Sequence, residues 1–149
     1  MTDRILVPVD GSPLSRRALE TALEEHPDSG IVVLHVIDPS EPGYSVADAE
    51  YDHTTEPRHG SEAWYDRANE LVDDLFDELT ATAADHDGSI ATERAIGRAD
   101  REIIEYATHN DVDQIILGSH GRETGAHPLV GSVTEAVAFR APMRVSLIR

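Results

Sequence analysis

The chain of 149 residues contains neither cysteine nor lysine, and none of its apolar runs, residues 31–34 and 115–117 among them, exceeds four residues. Without thiols, disulfide frameworks, cysteine-ligated zinc, iron–sulfur clusters and thiol nucleophiles are excluded. Without lysine, so are the Walker-type phosphate loop, Schiff-base chemistry and Ser-Lys dyads. A membrane-spanning helix needs about 20 apolar residues, and the start Met1-Thr2-Asp3-Arg4 has no basic segment or apolar stretch of a signal peptide. A cytoplasmic protein with no membrane partner is expected.

Charge of one sign is also scarce. Twelve basic residues, all arginine, face 29 acidic ones, for a formal charge of −17. Such a surface repels nucleic acid, so no nucleic-acid partner is expected. It also repels itself unless salt screens it. With the missing lysine and frequent Ala and Asp, this predicts a halophilic, acidic protein. The length suits one domain, 1–149, able to bury roughly 70% of its unfolded surface.

Residues 4–9 read as a buried strand, and Asp10-Gly11-Ser12-Pro13 supplies a turn, an N-cap and a first-turn proline. Leu14, Ala18, Ala22 and Leu23 then mark one face of a helix ending near His26-Pro27. Residues 31–37 form a second strand, continuously apolar except for His35, as in sheets covered on both faces. Residues 38–60 carry three of the eight prolines and two glycines and read as a long mobile connection. A long helix follows from Ser61 to about Ala84. Residues 90–96 alternate, which suits a strand nearer an edge. A third helix opens at 97–100 and a fourth strand covers 114–117. Residues 118–131 form a glycine-punctuated loop, Ser132-Val133-Thr134-Glu135 reads as a capping box, and 145–148 is a last short strand. Strands alternating with helices specify a parallel sheet with right-handed crossovers.

In such sheets ligands bind beyond the carboxyl ends of the strands, where strand order reverses. Pro8-Val9-Asp10, Val36-Ile37-Asp38 and the loop from Gly118 therefore converge on one crevice. Glycines let backbone N–H groups approach an anion, and Gly131-Ser132 stands at a helix N-terminus, with its unpaired N–H groups and positive dipole end. This is a phosphate site built without lysine.

The spacing Gly118-x2-Gly121-x9-Gly131-Ser132, preceded by Ile115-Ile116-Leu117 and followed by Val133-Thr134-Glu135, resembles the nucleotide loop of universal stress proteins. Residues 4–12 resemble that family's first strand and turn, and Leu34-His35-Val36-Ile37-Asp38 its second strand. The resemblance runs over 4–149, apart from the long loop. It implies a flavodoxin/Rossmann-like α/β fold: an open parallel five-stranded sheet of order 3-2-1-4-5, helices on both faces and a homodimer through the C-terminal strand. It further implies ATP or another adenine nucleotide in the crevice, with Mg²⁺ as its counter-ion. Carried over, Pro8, Val9 and Val36 would flank adenine, Asp10 would bond the ribose hydroxyls, and Leu117 and Gly118 would line the ribose side. Gly121, Gly131, Ser132 and Val133 would hold the phosphates.

Each residue has a plainer reading: Asp10, Gly118 and Gly121 as turn residues, Ser132 as a helix cap, Val36 as a strand end. Glu123 and Pro128 depart from the family pattern inside the loop, and Arg144 and Ser146 near the chain's end. His53 and His59 lie among Asp52, Glu56 and Glu62, where solvated side chains are favoured over a metal site. His35 reads as a core histidine, and His120 as a group that could meet phosphate or activate water. No Ser-His-Asp order, His-Glu-x-x-His or nucleophile elbow occurs in the sequence, so no catalytic residue is assigned. A stress-response sensor or regulator that binds nucleotide is expected. A slow Mg²⁺-dependent ATP hydrolase and a nucleotide-free dimeric interaction protein are the alternatives.

Overall fold

The computed structural model describes residues 3–41, 43–47, 49–120 and 131–149. Gly121, Glu123 and Pro128 lie outside them. The elements run β1 (Arg4–Pro8), α1 (Pro13–Glu25), β2 (Gly30–Ile37), α2 (Glu62–Asp85), β3 (Ala91–Ile96), α3 (Ala99–His109), β4 (Gln114–Gly118), α4 (Ser132–Arg140) and β5 (Arg144–Ile148). The five strands form one sheet of order β3-β2-β1-β4-β5, every pair parallel.

The apolar runs are continuous because each central strand serves two cores. Along β1, Ile5 and Val7 point to one face and pack with Leu19 of α1 and Trp64, Val72 and Leu79 of α2. Leu6 points to the other and meets Ile103 and Ala107 of α3 and Val137 of α4. All three β1 side chains are fully buried, and burying such a side chain contributes roughly 1.5–3 kcal/mol. The alternating strand β3 is an edge strand, pairing only with β2. Its residues 91–94 are exposed, and charge on an edge opposes pairing with a further chain. Arg94 of β3 pairs with Asp73 and lies 5.3 Å over the Phe76 ring.

Local chemistry fixes where the first two helices start. Ser12 caps α1 by accepting the Ser15 N–H at 3.3 Å, with Pro13 in the first turn. Ser61 caps α2 through the Trp64 N–H at 3.2 Å. The turn between β1 and α1 needs Gly11, whose φ is +83°. The fourth helix differs from expectation. Its N-cap is Gly131, which has no side chain to offer, and Ser132 is its first helical residue, so Ser132 does not stand at the N-cap position a capping box requires.

Residues 38–60 carry a packed aromatic cluster. Tyr44 is 2% exposed and stacks on Trp64 at 5.7 Å, and Tyr51 meets Tyr44 edge-on at 5.4 Å. His59 tilts against Trp64 at 4.5 Å and donates from Nε2 to the Pro39 carbonyl at 2.8 Å. Edge-on and offset ring pairs of this kind contribute about 0.5–1.5 kcal/mol beyond area burial. Burial, then the hydrogen bond to Glu56, pushes the Tyr44 hydroxyl up to about 12. Among the described residues no helix is long and apolar enough to cross a membrane.

Candidate nucleotide-binding crevice

The sheet order reverses between β1 and β4: the chain grows outward through β2 and β3 on one side and through β5 on the other. An open crevice with a cavity volume of ≈ 130 Å³ sits at the carboxyl ends of these central strands. Pro8, Val9 and Asp10 enter it from β1, Val36 from β2, Leu117 and Gly118 from β4, and Gly131 and Val133 from the start of α4. Ser132 is exposed and stays out of this lining, while Gly121 lies outside the described residues.

The chemistry differs from wall to wall. Pairing of β1 with β2 ends at Pro8–Leu34, and the last bond runs from the Val9 N–H to the Leu34 carbonyl at 2.9 Å. The Val9 carbonyl accepts from Nδ1 of His35 at 2.8 Å, and this histidine is 1% exposed. The bond fixes its tautomer, since a carbonyl can only accept. Expected as a core histidine, His35 also lines the crevice. Asp10 Oδ1 accepts the Ser12 N–H at 2.9 Å, an Asx turn that aims the carboxylate.

On the opposite wall, β4 hands the chain to α4. Ser119 N–H donates to the Ile148 carbonyl and Gly131 N–H to the Ser119 carbonyl, each at 2.7 Å, while Thr134 Oγ1 donates to the Gly118 carbonyl at 2.8 Å. The Gly131 N–H is thereby engaged within the protein. Gly131 has no side chain to cap α4, and the first-turn N–H groups of a helix are the kind that bind anions.

Several lining residues were not read from the sequence: Ser12 and Ser15 of the α1 start, Leu34, Glu41, Ala99 and Ile103 of α3, and Thr134. His120 is exposed and lines the crevice. His53 and His59 contribute to the aromatic cluster instead, each edge-on to Tyr51. Among the described residues, the group with closely spaced potential metal ligands is Glu20, Glu24 and His86, on α1 and just past α2. There the Thr82 carbonyl, followed by Glu24, raises the His86 pKa.

A model of the universal stress protein family matches residues 1–149. The chain belongs to the universal stress protein family. Over 99% of its length and 98% of the relative's, it is 28% identical to the stress response protein NhaX of Bacillus subtilis. The solved structure of the universal stress protein UspA from Lactobacillus plantarum superposes with a TM-score of 0.75 at 25% identity, covering 99% of this chain and 97% of that one. The Archaeoglobus fulgidus universal stress protein, solved in complex with dAMP, shares the fold with a TM-score of 0.66 at 17% identity, covering 100% and 98% of the two chains. The five-stranded order seen here is that of the family's flavodoxin-like fold.

Proposed function

We propose that this universal stress protein binds an adenine nucleotide in the crevice between β1 and β4 and works in the stress response as a sensor or regulator. The observation that carries the reading is the pairing of opposite walls. Asp10 places a carboxylate in the lining on one side, and the N-terminal turn of α4, with Gly131, Val133 and Thr134, lines the other. A nucleotide has complementary ends, with ribose hydroxyls that donate and phosphate oxygens that accept. Between the walls, Pro8, Val9, Val36 and Leu117 give apolar surface for a base and sugar. Universal stress proteins of the same fold have been solved with cAMP, dAMP and AMP.

In this reading Asp10 bonds the ribose hydroxyls, and Leu117 and Gly118 line the ribose. The amides of Ser132, Val133 and Thr134 hold phosphate, with Gly121 and Gly131 giving the backbone room to approach. ATP accompanied by Mg²⁺ is the proposed nucleotide, in a cytoplasmic, salt-adapted protein. Strand β5 is a sheet edge with Leu147 39% exposed, and the proposed homodimer pairs this strand with a second copy.

Mass spectrometry of small molecules released from denatured protein, with calorimetric titration of ATP, ADP and AMP at ~2 M KCl, tests the reading, because molar salt screens the repulsion between an acidic protein and a nucleotide anion. An adenine nucleotide released from the protein or bound at micromolar concentration supports it. Failure to release one and to bind any at millimolar concentration overturns it in favour of a nucleotide-free interaction protein.

A further inference from the structure

The end of α1 away from the crevice carries a cluster of ligand-type side chains. Glu20 and Glu24 stand about one turn apart on α1, and His86 is the C-cap of α2. One ligand atom from each, an imidazole nitrogen and two carboxylate oxygens, lies within 4.8 Å of the other two. None of the three residues lines the crevice. Ser15 does, and Glu24 lies roughly 13 Å further along the helix, at about 1.5 Å per residue.

The backbone holds these groups together. Past α2 the Asp87 and Gly88 N–H groups donate to the Ala84 and Ala83 carbonyls at 3.0 and 2.8 Å. A Cβ on Gly88 would stand 2.9 Å from the Leu23 side chain, so this turn lies directly on α1. His86 Nδ1 donates to the Thr82 carbonyl at 3.0 Å. A carbonyl can only accept, so in the neutral ring Nδ1 carries the proton and Nε2 has the lone pair. A backbone carbonyl holding the distal nitrogen is the usual support of a metal-bound histidine. Nε2 and Glu24 Oε1 are 3.4 Å apart, and two acceptors at that distance repel unless a cation joins them. Zinc bonds of about 2.0–2.1 Å set neighbouring corners of a tetrahedron about 3.4 Å apart.

The surrounding charge favours a cation. The last turns of α1 and α2 carry no basic residue, so the negative ends of two helix dipoles meet here uncompensated. Like charges four residues apart on a helix repel, and among the described residues no arginine pairs with Glu20 or Glu24. We propose that Glu20, Glu24 and His86 form a site for a divalent cation of the zinc class, with solvent as the fourth ligand, and that the bound cation ties the end of α2 to α1. Mg²⁺ takes oxygen ligands and gains little from an imidazole. The rival occupant is a proton on Nε2, which would leave an ordinary His86–Glu24 ion pair.

Calorimetric titration with ZnCl₂ and with MgCl₂ at ~1 M KCl tests the site, because salt screens diffuse attraction to the acidic surface. No nucleotide is added, so the outcome is independent of the crevice reading. Wild type is expected to bind Zn²⁺ at micromolar concentration, at least about tenfold more tightly than Mg²⁺, and to melt at a higher temperature with zinc bound. Glu24→Gln and His86→Gln should each weaken zinc binding by at least about tenfold and remove its effect on the melt. His109→Gln, which changes a histidine of α3 outside the cluster, should keep both. Melts without zinc show whether each variant is folded. Equal affinity for zinc and magnesium would reduce the site to diffuse attraction and overturn it, as would ligand variants that bind zinc like wild type. Failure of wild type to take up zinc at about 100 µM would overturn it in favour of the proton.

Discussion

A Cβ placed on Gly118 would stand 2.8 Å from Leu14 Cβ and 3.1 Å from the Leu14 carbonyl carbon. The end of β4 thus lies directly against the first turn of α1, a contact only glycine allows. The sequence pattern assigns Gly118 to a nucleotide, yet the protein's own packing already requires it. Gly118→Ala should destabilise the fold by about 1–3 kcal/mol, the usual cost of overpacking a closed core. Urea unfolding followed by circular dichroism would measure it, and an unchanged midpoint would mean that α1 yields at no cost.

That double duty marks where the sequence was legible. Ile5, Leu6 and Val7 announce a two-faced strand because all three are apolar, and the structure sends them alternately to two cores. The order 3-2-1-4-5 is different: nothing in the residues of β4 or β5 dictates which neighbour they take, and it came through the family resemblance. The start of α4 was misread by one residue. Ser132 with Glu135 satisfies the capping pattern, but the Ser119 carbonyl takes the Gly131 N–H and makes Gly131 the cap. Glu41 and the Tyr44–Trp64 stack were invisible because tertiary contacts order them. Irregular spacing in a Pro- and Gly-bearing segment carries no periodic signal.

The Tyr44 hydroxyl gives the segment a pH signature. Its folded pKa, about 12, stands above the ordinary 10.0. A group raised in this way contributes stability that is whole below pH ~10 and is lost as pH rises through the folded value. Between pH 9 and 12 the urea midpoint of wild type should fall, and that of Tyr44→Phe should fall less steeply. Tyr106, also raised by burial and then by Glu93, acts in the same direction in both proteins and cancels from the comparison. Parallel slopes would show that the buried hydroxyl carries no part of the alkaline response.

Screening sets a second condition on stability. A formal charge of −17 repels itself across the folded surface, and the Debye length shrinks from about 10 Å at 0.1 M salt to about 3 Å at 1 M. The melting temperature should therefore rise markedly from ~0.1 M to ~2 M KCl. Chloride is the anion of choice, because sulfate stabilises most proteins by exclusion from their surfaces. Equal midpoints at the two concentrations would remove the basis for salt adaptation.

Asp10 allows charge and turn geometry to be separated. Its Oδ1 holds the Ser12 N–H at the start of α1, a role that the Oδ1 of asparagine fills equally well. The proposed bonds to ribose hydroxyls depend on the negative charge, and hydrogen bonds to charged groups contribute about 1.5–3 kcal/mol against about 1 for neutral ones. Asp10→Asn should thus keep the wild-type melt while weakening nucleotide binding by roughly tenfold. Asp10→Ala should weaken binding by about 10- to 100-fold and also lower the melt, because the Ser12 N–H loses its partner. Calorimetry at ~2 M KCl, paired with thermal melts, distinguishes the two effects. If wild type binds nucleotide and Asp10→Asn binds it equally well, the ribose lies elsewhere in the crevice and Asp10 serves the α1 turn alone.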